Sequence, residues 1–410
     1  MLSVDEAKER LLLNFQRLDA EIIPVDRAVG RVLAKTVYAA YDLPSFTNSA
    51  MDGFGVRTGD VQPAAPENPV ILLVVGDIPA GAEPATQLRP GETVRIMTGA
   101  LVPPSIEAVI PVEDTDFKER QPGTVLPEIV QIFRSVRPGE NIRPGGQDVR
   151  QGEPVLEPGR RLRPQDAGFL GMLGISKVAV YRKPRVAIFS TGDELTPVGE
   201  PLQPGKIYDS NLTMLMGLVE RAGGEALNLG IARDTELEVK ACLDRATRSG
   251  VDLIISTAGV SVGAFDFVRT VVQQEGKLDF WRVHIRPGKP FAFGHYRRVP
   301  FFGLPGNPVS AFVSFEVFVR PAICKLTGLT GERLRMRVRL AEPVESDGRE
   351  SYLRAIVDLT DSPSAHLTGH QGSGNLRSLV QANALLIIPS AVKSVPVGAE
   401  LEAWLLDVDG

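Results

Sequence analysis

Apolar and polar positions change rhythm along this chain, and each change predicts a different kind of element. The opening stretch SVDEAKERLLLNFQRL sets Ala7, Leu11, Phe15 and Leu18 at helical spacing. Ser3 with Glu6 three residues on is a capping-box pattern, so a helix is expected there. AEIIPVDRAVGRVLAKTVYA follows, with β-branched runs and turns that read as short strands. From about residue 44 to 143 the texture is strand and turn. VILLVVGDIPAGA, ETVRIMTGALVPP and EAVIPVED alternate apolar runs with Gly and Pro, which predicts a β-rich domain inserted by two linkers. RLRPQDAGFLGMLGI then reads as helix. Its glycines at 168, 171 and 174 mark close helix packing rather than a nucleotide loop.

Between about 180 and 327 strands and helices alternate. RVAIFST, EALNLGIA, VDLIIST and VPFFGL are strands; NLTMLMGLVERAGG, DTELEVKACLDRATRSG, DFVRTVVQQE and VSAFVSFEVF are helices. Alternation of this kind predicts a doubly wound parallel sheet. RMRVRLAEPV, SYLRAIVDL and ALLIIPS return to β texture and predict a separate small β domain over 328–410. The expected architecture is α/β and β multidomain: an elongated linker domain (1–43 with 144–179), the β-rich insertion (44–143), the parallel-sheet domain (180–327) and the C-terminal β domain.

Composition narrows this little. The 410 residues are 43% hydrophobic and 23% charged, an ordinary globular balance. The net charge of −5 argues against a broad nucleic-acid footprint. Cys242 and Cys324 are the sole cysteines, so a disulfide framework is excluded and a reducing, cytoplasmic setting is expected. No run of 18 uncharged apolar residues appears, so neither a membrane span nor export is expected.

In open α/β sheets ligands bind beyond the carboxyl ends of the strands. Three loops rich in small residues fall there: STGDEL, TAGVSVGAFDF and GLPGNP. In the last, Gly306 permits a tight turn, Asn307 can cap and Pro308 suits the first helical position, which makes a helix N-terminus and hence an anion site. Each loop alone is explained by capping; two converging loops favour a ligand. Arg286 and Lys289 flank a Pro-Gly turn and make a plausible clamp for phosphates or an oxyanion. Four acids, Asp193, Glu194, Asp209 and Asp266, stand at or after strand ends in the same domain. Carboxylates beside bound phosphate repel it unless a divalent cation, commonly Mg²⁺, sits between them. The four histidines show no ligand spacing with the cysteines, which disfavours a soft-metal site.

Ten stretches in order along the chain carry a resemblance: PSFTNSAMDGFGVR, GDIPAGA, RIMTGA, ENIRPGGQDV, STGDEL, GKIYDSN, GVSVGAFDFV, RPGKPFAFG, GLPGNPVSAFVSFEVFVRP and GHQGSGNLRSL. Together they resemble the molybdopterin molybdenumtransferases, whose eukaryotic relatives include the C-terminal domain of gephyrin. The resemblance implies an enzyme that inserts molybdenum from molybdate into adenylylated molybdopterin, with Mg²⁺-dependent hydrolysis of the adenylate and release of AMP. It implies a homodimer whose active site is shared between the sheet domain of one subunit and the β-rich insertion of the other. An upstream molybdopterin adenylyltransferase is an implied partner. The C-terminal domain is expected to be barrel-like.

Carried over residue by residue, the resemblance implies Asp52, Thr98, Glu194, Asp266 and Lys289 as catalytic, with Glu194, Asp209 and Asp266 toward the metal. Thr191, Gly192, Asp193, Ser210 and Asn211 are implied in cofactor binding. So are Ser261, Gly263 and Arg286, then Pro305, Gly306 and Asn307, and Asp148. Arg354 and Ser378 look like residues used for molybdate or cofactor. Some positions depart from the family pattern. Thr47 stands for a common Asp, Arg286 for Lys, Ala258 for the first of two glycines, Ala264 for an acid and Leu212 for Arg. These departures bear on rate and oxyanion preference; the five catalytic positions remain, so an active enzyme is expected.

Two other readings stand beside this one. A non-catalytic pterin-binding scaffold would be favoured by a lost catalytic acid, and the acids are retained. A generic Mg²⁺-dependent nucleotide-binding enzyme is disfavoured because no GxxxxGK[ST] loop exists.

Overall fold

The computed structural model describes residues 1–117, 125–257, 267–359 and 362–409. They form two compact units: residues 1–35, 158–163 and 178–410, and residues 36–157 with 164–177. Among the described residues no helix is long and apolar enough to cross a membrane.

The first unit opens with α1 (Val4–Leu12), whose capping box is present: Ser3 and Glu6 exchange side-chain and backbone hydrogen bonds. Its core carries the strands β1 (Arg185–Thr191), β2 (Glu225–Ala232), β3 (Leu253–Thr257), β4 (Gly276–Arg282), β5 (Pro290–Tyr296) and β6 (Val299–Leu304), in the spatial order β2-β1-β3-β6-β5-β4. The helices α2 (Ser210–Arg221), α3 (Glu236–Arg248), α4 (Phe267–Glu275) and α5 (Pro308–Ser314) connect and cover it. Alternate residues of β1 serve opposite faces. Val186 and Ile188 pack with Leu215 and Val219 of α2. Ala187 and Phe189 pack with Val239 and Leu243 of α3 and Val268 of α4. Helices on both faces make the sheet doubly wound.

The sheet is not wholly parallel. β2, β1, β3 and β6 run parallel, but β5 pairs antiparallel with β6 and β4 antiparallel with β5. A two-residue turn at Arg297–Arg298, with Arg297 at φ 54°, converts the segment PFAFGHYRRVPFFG into a hairpin. RPGKPFAF reads in sequence as a turn, and its second half is the strand β5. Gly294 permits the close pairing, since a Cβ there would stand 2.1 Å from Lys277 O. α1 belongs with this sheet, where the sequence pattern groups it with residues 144–179. Ala7, Leu11 and Phe15 are buried in the same cluster as Phe291 and Phe302, and Phe15 stacks on Phe302 with centroids 5.9 Å apart.

The C-terminal strands of this unit are β7 (Arg333–Leu340), β8 (Glu350–Asp358), β9 (Ser364–Leu367), β10 (Ala384–Ile388) and β11 (Glu400–Asp409). Their order is β8-β9-β7-β11-β10, and β10 pairs back to β8, so the five strands close on themselves and leave no open edge among them. The short strand Ile285–Arg286 pairs with Glu350 and Ser351 at the start of β8. Tyr352, Leu385 and Trp404 of this ring share the apolar cluster of the α/β sheet.

Glu350 lies at that junction. Burial pushes its carboxyl above the ordinary value of 4.5, and Asp5 and Glu402 add to the rise; the Tyr352 hydroxyl and Arg335 oppose it. The native state therefore holds this proton more tightly than the unfolded chain, so the associated stability is present at low pH and lost as pH rises through the raised value. Glu350→Gln keeps an oxygen for the Tyr352 hydroxyl, 2.6 Å away. It should be more stable than the parent at pH 7, with the advantage shrinking toward pH 4.5. Urea midpoints across that range check this, and a constant difference would remove Glu350 as the source.

The second unit is built on a five-stranded sheet in the order Ala108–Pro111, Gly53–Val56, Glu92–Ile96, Val70–Ile78, Ile129–Ile132. Gly53 lies so close to the neighbouring strand that a Cβ would meet Ile110 O at 1.9 Å. The helix Pro164–Met172 also belongs to this unit.

Candidate active site

A cavity of about 680 Å³ opens at the carboxyl ends of β1, β3 and β6, with the strand ring as its other wall. That size suits a small ligand. Thr191, Glu194, Asn211 and Lys289 line it, as do Arg286 and the segment Pro305–Asn307. From the ring come Arg349, Arg354, Gln371, Gly372 and Ser373. Of the described lining residues Glu194 alone is acidic, against four cations, Arg286, Lys289, Arg349 and Arg354. Arg349 is forked onto Asp347, so the positive surplus that suits an anion comes from Arg286, Lys289 and Arg354.

Arg354 is its most unusual member. The residue is fully buried. Its Nε donates to Ser378 Oγ at 3.0 Å and its Nη2 to Gly372 O at 3.0 Å. Nη1 is buried with no partner among the described residues. Burial, and then the positive charge of Arg286, pull its pKa down to about 10, so it is still charged at neutral pH. A buried cation without a counter-ion is costly, and an anionic ligand in the cavity relieves that cost. Ser378 does not line the cavity; it stands behind Arg354 and donates in turn to Asn375 O at 2.7 Å.

The two acids after β1 part company. Gly192, at φ 149°, occupies backbone space that favours glycine, and Glu194 folds over it: a Cβ at Gly192 would lie 2.6 Å from Glu194 Oε2. Asp193 turns instead toward Asp234, whose backbone N–H it accepts at 3.3 Å. Burial raises the Asp234 pKa, with smaller contributions from the charges of Asp193 and Glu194. Asp209 caps α2 by accepting from Leu212 N at 3.0 Å, while its second oxygen is buried without a partner among the described residues. Ser210 is exposed at the start of α2, and Asn211 donates to Gly306 O at 2.7 Å.

The helix N-terminus after GLPGNP differs from its sequence reading. Asn307 occupies the capping position but makes no capping bond; its amide donates to Ser373 Oγ at 2.9 Å. Pro308 has no N–H, and Val309 N donates to Ser373 O at 3.1 Å. The contact with the strand ring takes the Val309 N–H, while Gly306, Asn307 and Ser310 line the cavity.

In the second unit the antiparallel register that sets Gly53 opposite Ile96 brings Asp52 beside Thr98. Asp52 Oδ1 accepts from both Thr98 N and Thr98 Oγ1, each at 2.7 Å. Asp148 is exposed, with its N–H on Leu43 O at 2.9 Å. Ser261, Gly263 and Asp266, with the departures at Ala258 and Ala264, lie outside the described residues.

No group of three or more His, Cys, Asp or Glu able to hold a metal occurs among the described residues. A Mg²⁺ ion takes one or two protein carboxylates and completes its shell with phosphate oxygens and water, so it needs no such group. Among the described residues Glu194 in the cavity and the unpartnered oxygen of Asp209 are carboxylate donors in this domain. The resemblance singled out Arg354 but not Arg349 or Ser310, and it quoted GHQGSGNLRSL without giving Gln371, Gly372 or Ser373 a role. The small-residue run GHQGSG was the signal for these three.

A doubly wound sheet whose strand ends open on a cationic cavity defines a protein of the α/β class with a pocket suited to an anionic small molecule. Comparison with known proteins resolves the class. Residues 2–174 match the family model described as MoeA N-terminal region (domain I and II), 187–325 the probable molybdopterin binding domain, and 337–406 the MoeA C-terminal region (domain IV). The chain is 39% identical to molybdopterin molybdenumtransferase 2 of Mycobacterium tuberculosis, over 98% of this chain and 99% of that one. It is 36% identical to the molybdopterin molybdenumtransferase of Haemophilus influenzae, over 97% of each. A crystal structure of the molybdopterin biosynthesis MoeA protein from Pyrococcus horikoshii superposes with a TM-score of 0.82 at 33% identity, covering 99% of this chain and 100% of that one. The chain belongs to the molybdopterin molybdenumtransferase family, enzymes of molybdenum cofactor biosynthesis.

Proposed function

We propose that this enzyme inserts molybdenum from molybdate into adenylylated molybdopterin, with Mg²⁺-dependent hydrolysis of the adenylate and release of AMP. The observation that carries this reading is the cavity with four cations and one acid among its described lining, where Arg354 keeps a buried N–H group without a partner among the described residues. Such a site suits an anion that arrives and leaves.

The chain's own residues position and neutralise charge, with no covalent step of their own. Arg286 and Lys289 hold the pyrophosphate of the pterin nucleotide. Arg354, braced by Ser378, holds the tetrahedral oxyanion. Asn211 and Thr191 orient the ligand at the strand ends. Glu194, Asp209 and Asp266 would hold Mg²⁺, which when bound supplies charge neutralisation at the phosphates. The paired Asp52 and Thr98 are read as supplied by a second copy of the chain in a homodimer, as the family resemblance implies, and Asp148 as another carboxylate near the site. A molybdopterin adenylyltransferase is the upstream donor in this reading. Two buried free thiols accord with a cytoplasmic setting.

Supplied with adenylylated molybdopterin, molybdate and Mg²⁺, the purified protein should release AMP in step with formation of molybdenum-loaded pterin, and excess chelator should stop both. AMP release that continues undiminished in chelator would remove the metal from the reading. Hydrolysis of ATP without any pterin would favour a general nucleotide-binding enzyme.

A further inference from the structure

We propose that Gln371 is the positioning residue that presents Arg354 to the cavity, an inference that rests on Arg354 being the oxyanion-holding group. β8 and β9 pair antiparallel, with Ile356 opposite His366 and Ala355 opposite Leu367. The ladder then ends, because Gly369 at φ 81° turns the chain away. Thr368 N still donates to Arg354 O at 3.1 Å. The Arg354 N–H, however, is met by a side chain: Gln371 Oε1 accepts from it at 2.9 Å. Gln371 Nε2 donates to Arg354 O at 3.1 Å and to Gly369 O at 3.1 Å. One amide thus takes the place of a strand neighbour at the residue whose guanidinium lines the cavity.

The residues on either side of Gln371 hold that guanidinium directly. His370 O and Gly372 O accept from Nη2 at 3.4 and 3.0 Å. Gln371 therefore fixes the backbone of Arg354 and, through its own neighbours, one edge of the guanidinium. Nη1 is left without a partner among the described residues, as the group available to an anion. The chemistry demands an amide. Glutamate offers acceptors alone, so one oxygen would face the carbonyls of Arg354 and Gly369, and its charge would compete with the anion. Methionine offers neither donor nor acceptor. Without the clamp the Arg354 backbone is left to its pairing with Leu385 of β10 and to Thr368, and the oxyanion must then order the guanidinium as it binds.

Molybdate binding to the full chain, measured by titration calorimetry, should weaken about 10-fold or more in Gln371→Met. The loss should fall on the KM for molybdate more than on kcat. Gln371→Glu, nearly the same size, should weaken binding at least as much. In an Arg354→Met background, Gln371→Met should cost no further molybdate affinity, which a merely structural role would not produce. Unchanged molybdate affinity in both Gln371 variants, alongside a loss in Arg354→Met, overturns the inference alone. Equal losses for molybdate and pterin nucleotide with a lowered melting temperature also overturn it. Parent-like molybdate binding by Arg354→Met overturns the reading of Arg354, and this inference with it.

Discussion

Glu194→Gln should abolish AMP release, by on the order of 10²-fold or more, while the pterin nucleotide still binds. Glutamine keeps the size and one oxygen of the native side chain, so the fold over Gly192 survives and the change is one of charge. Glu194 is the sole acid among the described lining residues of a cavity with four cations. Removing it takes away an anionic donor that a hard divalent ion needs, and leaves every cation that grips the phosphates in place. Binding in the absence of Mg²⁺ should be unchanged or tighter, because one source of repulsion has gone. A variant that turns over like the parent would exclude Glu194 from the metal site; a variant that binds no nucleotide would mean that Glu194 shapes the cavity.

The elements that position this site were readable where local pattern decides them. Period-3.6 stripes, caps and terminal glycines marked the helices around β1, β2 and β3, and those strands stand out as apolar runs between turns. Four things were not readable this way, and the last three depended on partners distant in sequence. The β5–β6 hairpin needed Arg297 to turn the chain with positive φ, which an Arg-Arg pair does not announce. Asn307 reads as a cap by residue type, yet its amide goes to Ser373, 66 positions away. The cavity's far wall exists because β10 closes on β8, and that closure is what sets Arg354 and Gln371 opposite the strand ends. The pairing of Asp52 with Thr98 is likewise a matter of register across 46 positions. Single-sequence patterns report near neighbours, and binding sites are made by far ones.

Glu316→Ala should destabilise the first unit by about 3–5 kcal/mol. The helix after GLPGNP reads as apolar on nearly every side, and its single acid lies in the π-helical turn Phe315–Val319. Glu316 is 2% exposed and Arg333, at the start of β7, 6%. They form a bidentate pair, Nε to Oε2 and Nη2 to Oε1, both at 2.8 Å. Arg333 Nη1 also donates to Leu406 O at 3.1 Å, on the strand β11. Arg320 Nε stands 3.9 Å from the same carboxylate. The pair therefore ties the sheet's helix to the strand ring at the level of their shared core. Alanine would take the Glu316 carboxylate from two buried guanidinium groups, a larger penalty than the lost methylenes alone. The urea midpoint followed by Trp404 fluorescence, on β11, should fall by roughly 1 M or more. The double variant Glu316→Leu with Arg333→Met should recover most of that loss, since a packed apolar pair can match a buried ion pair in stability. A single variant with an unmoved midpoint would show that water reaches the pair. A double variant no better than the single would show that Leu406 and Arg333 hold the ring through that carbonyl bond rather than through charge.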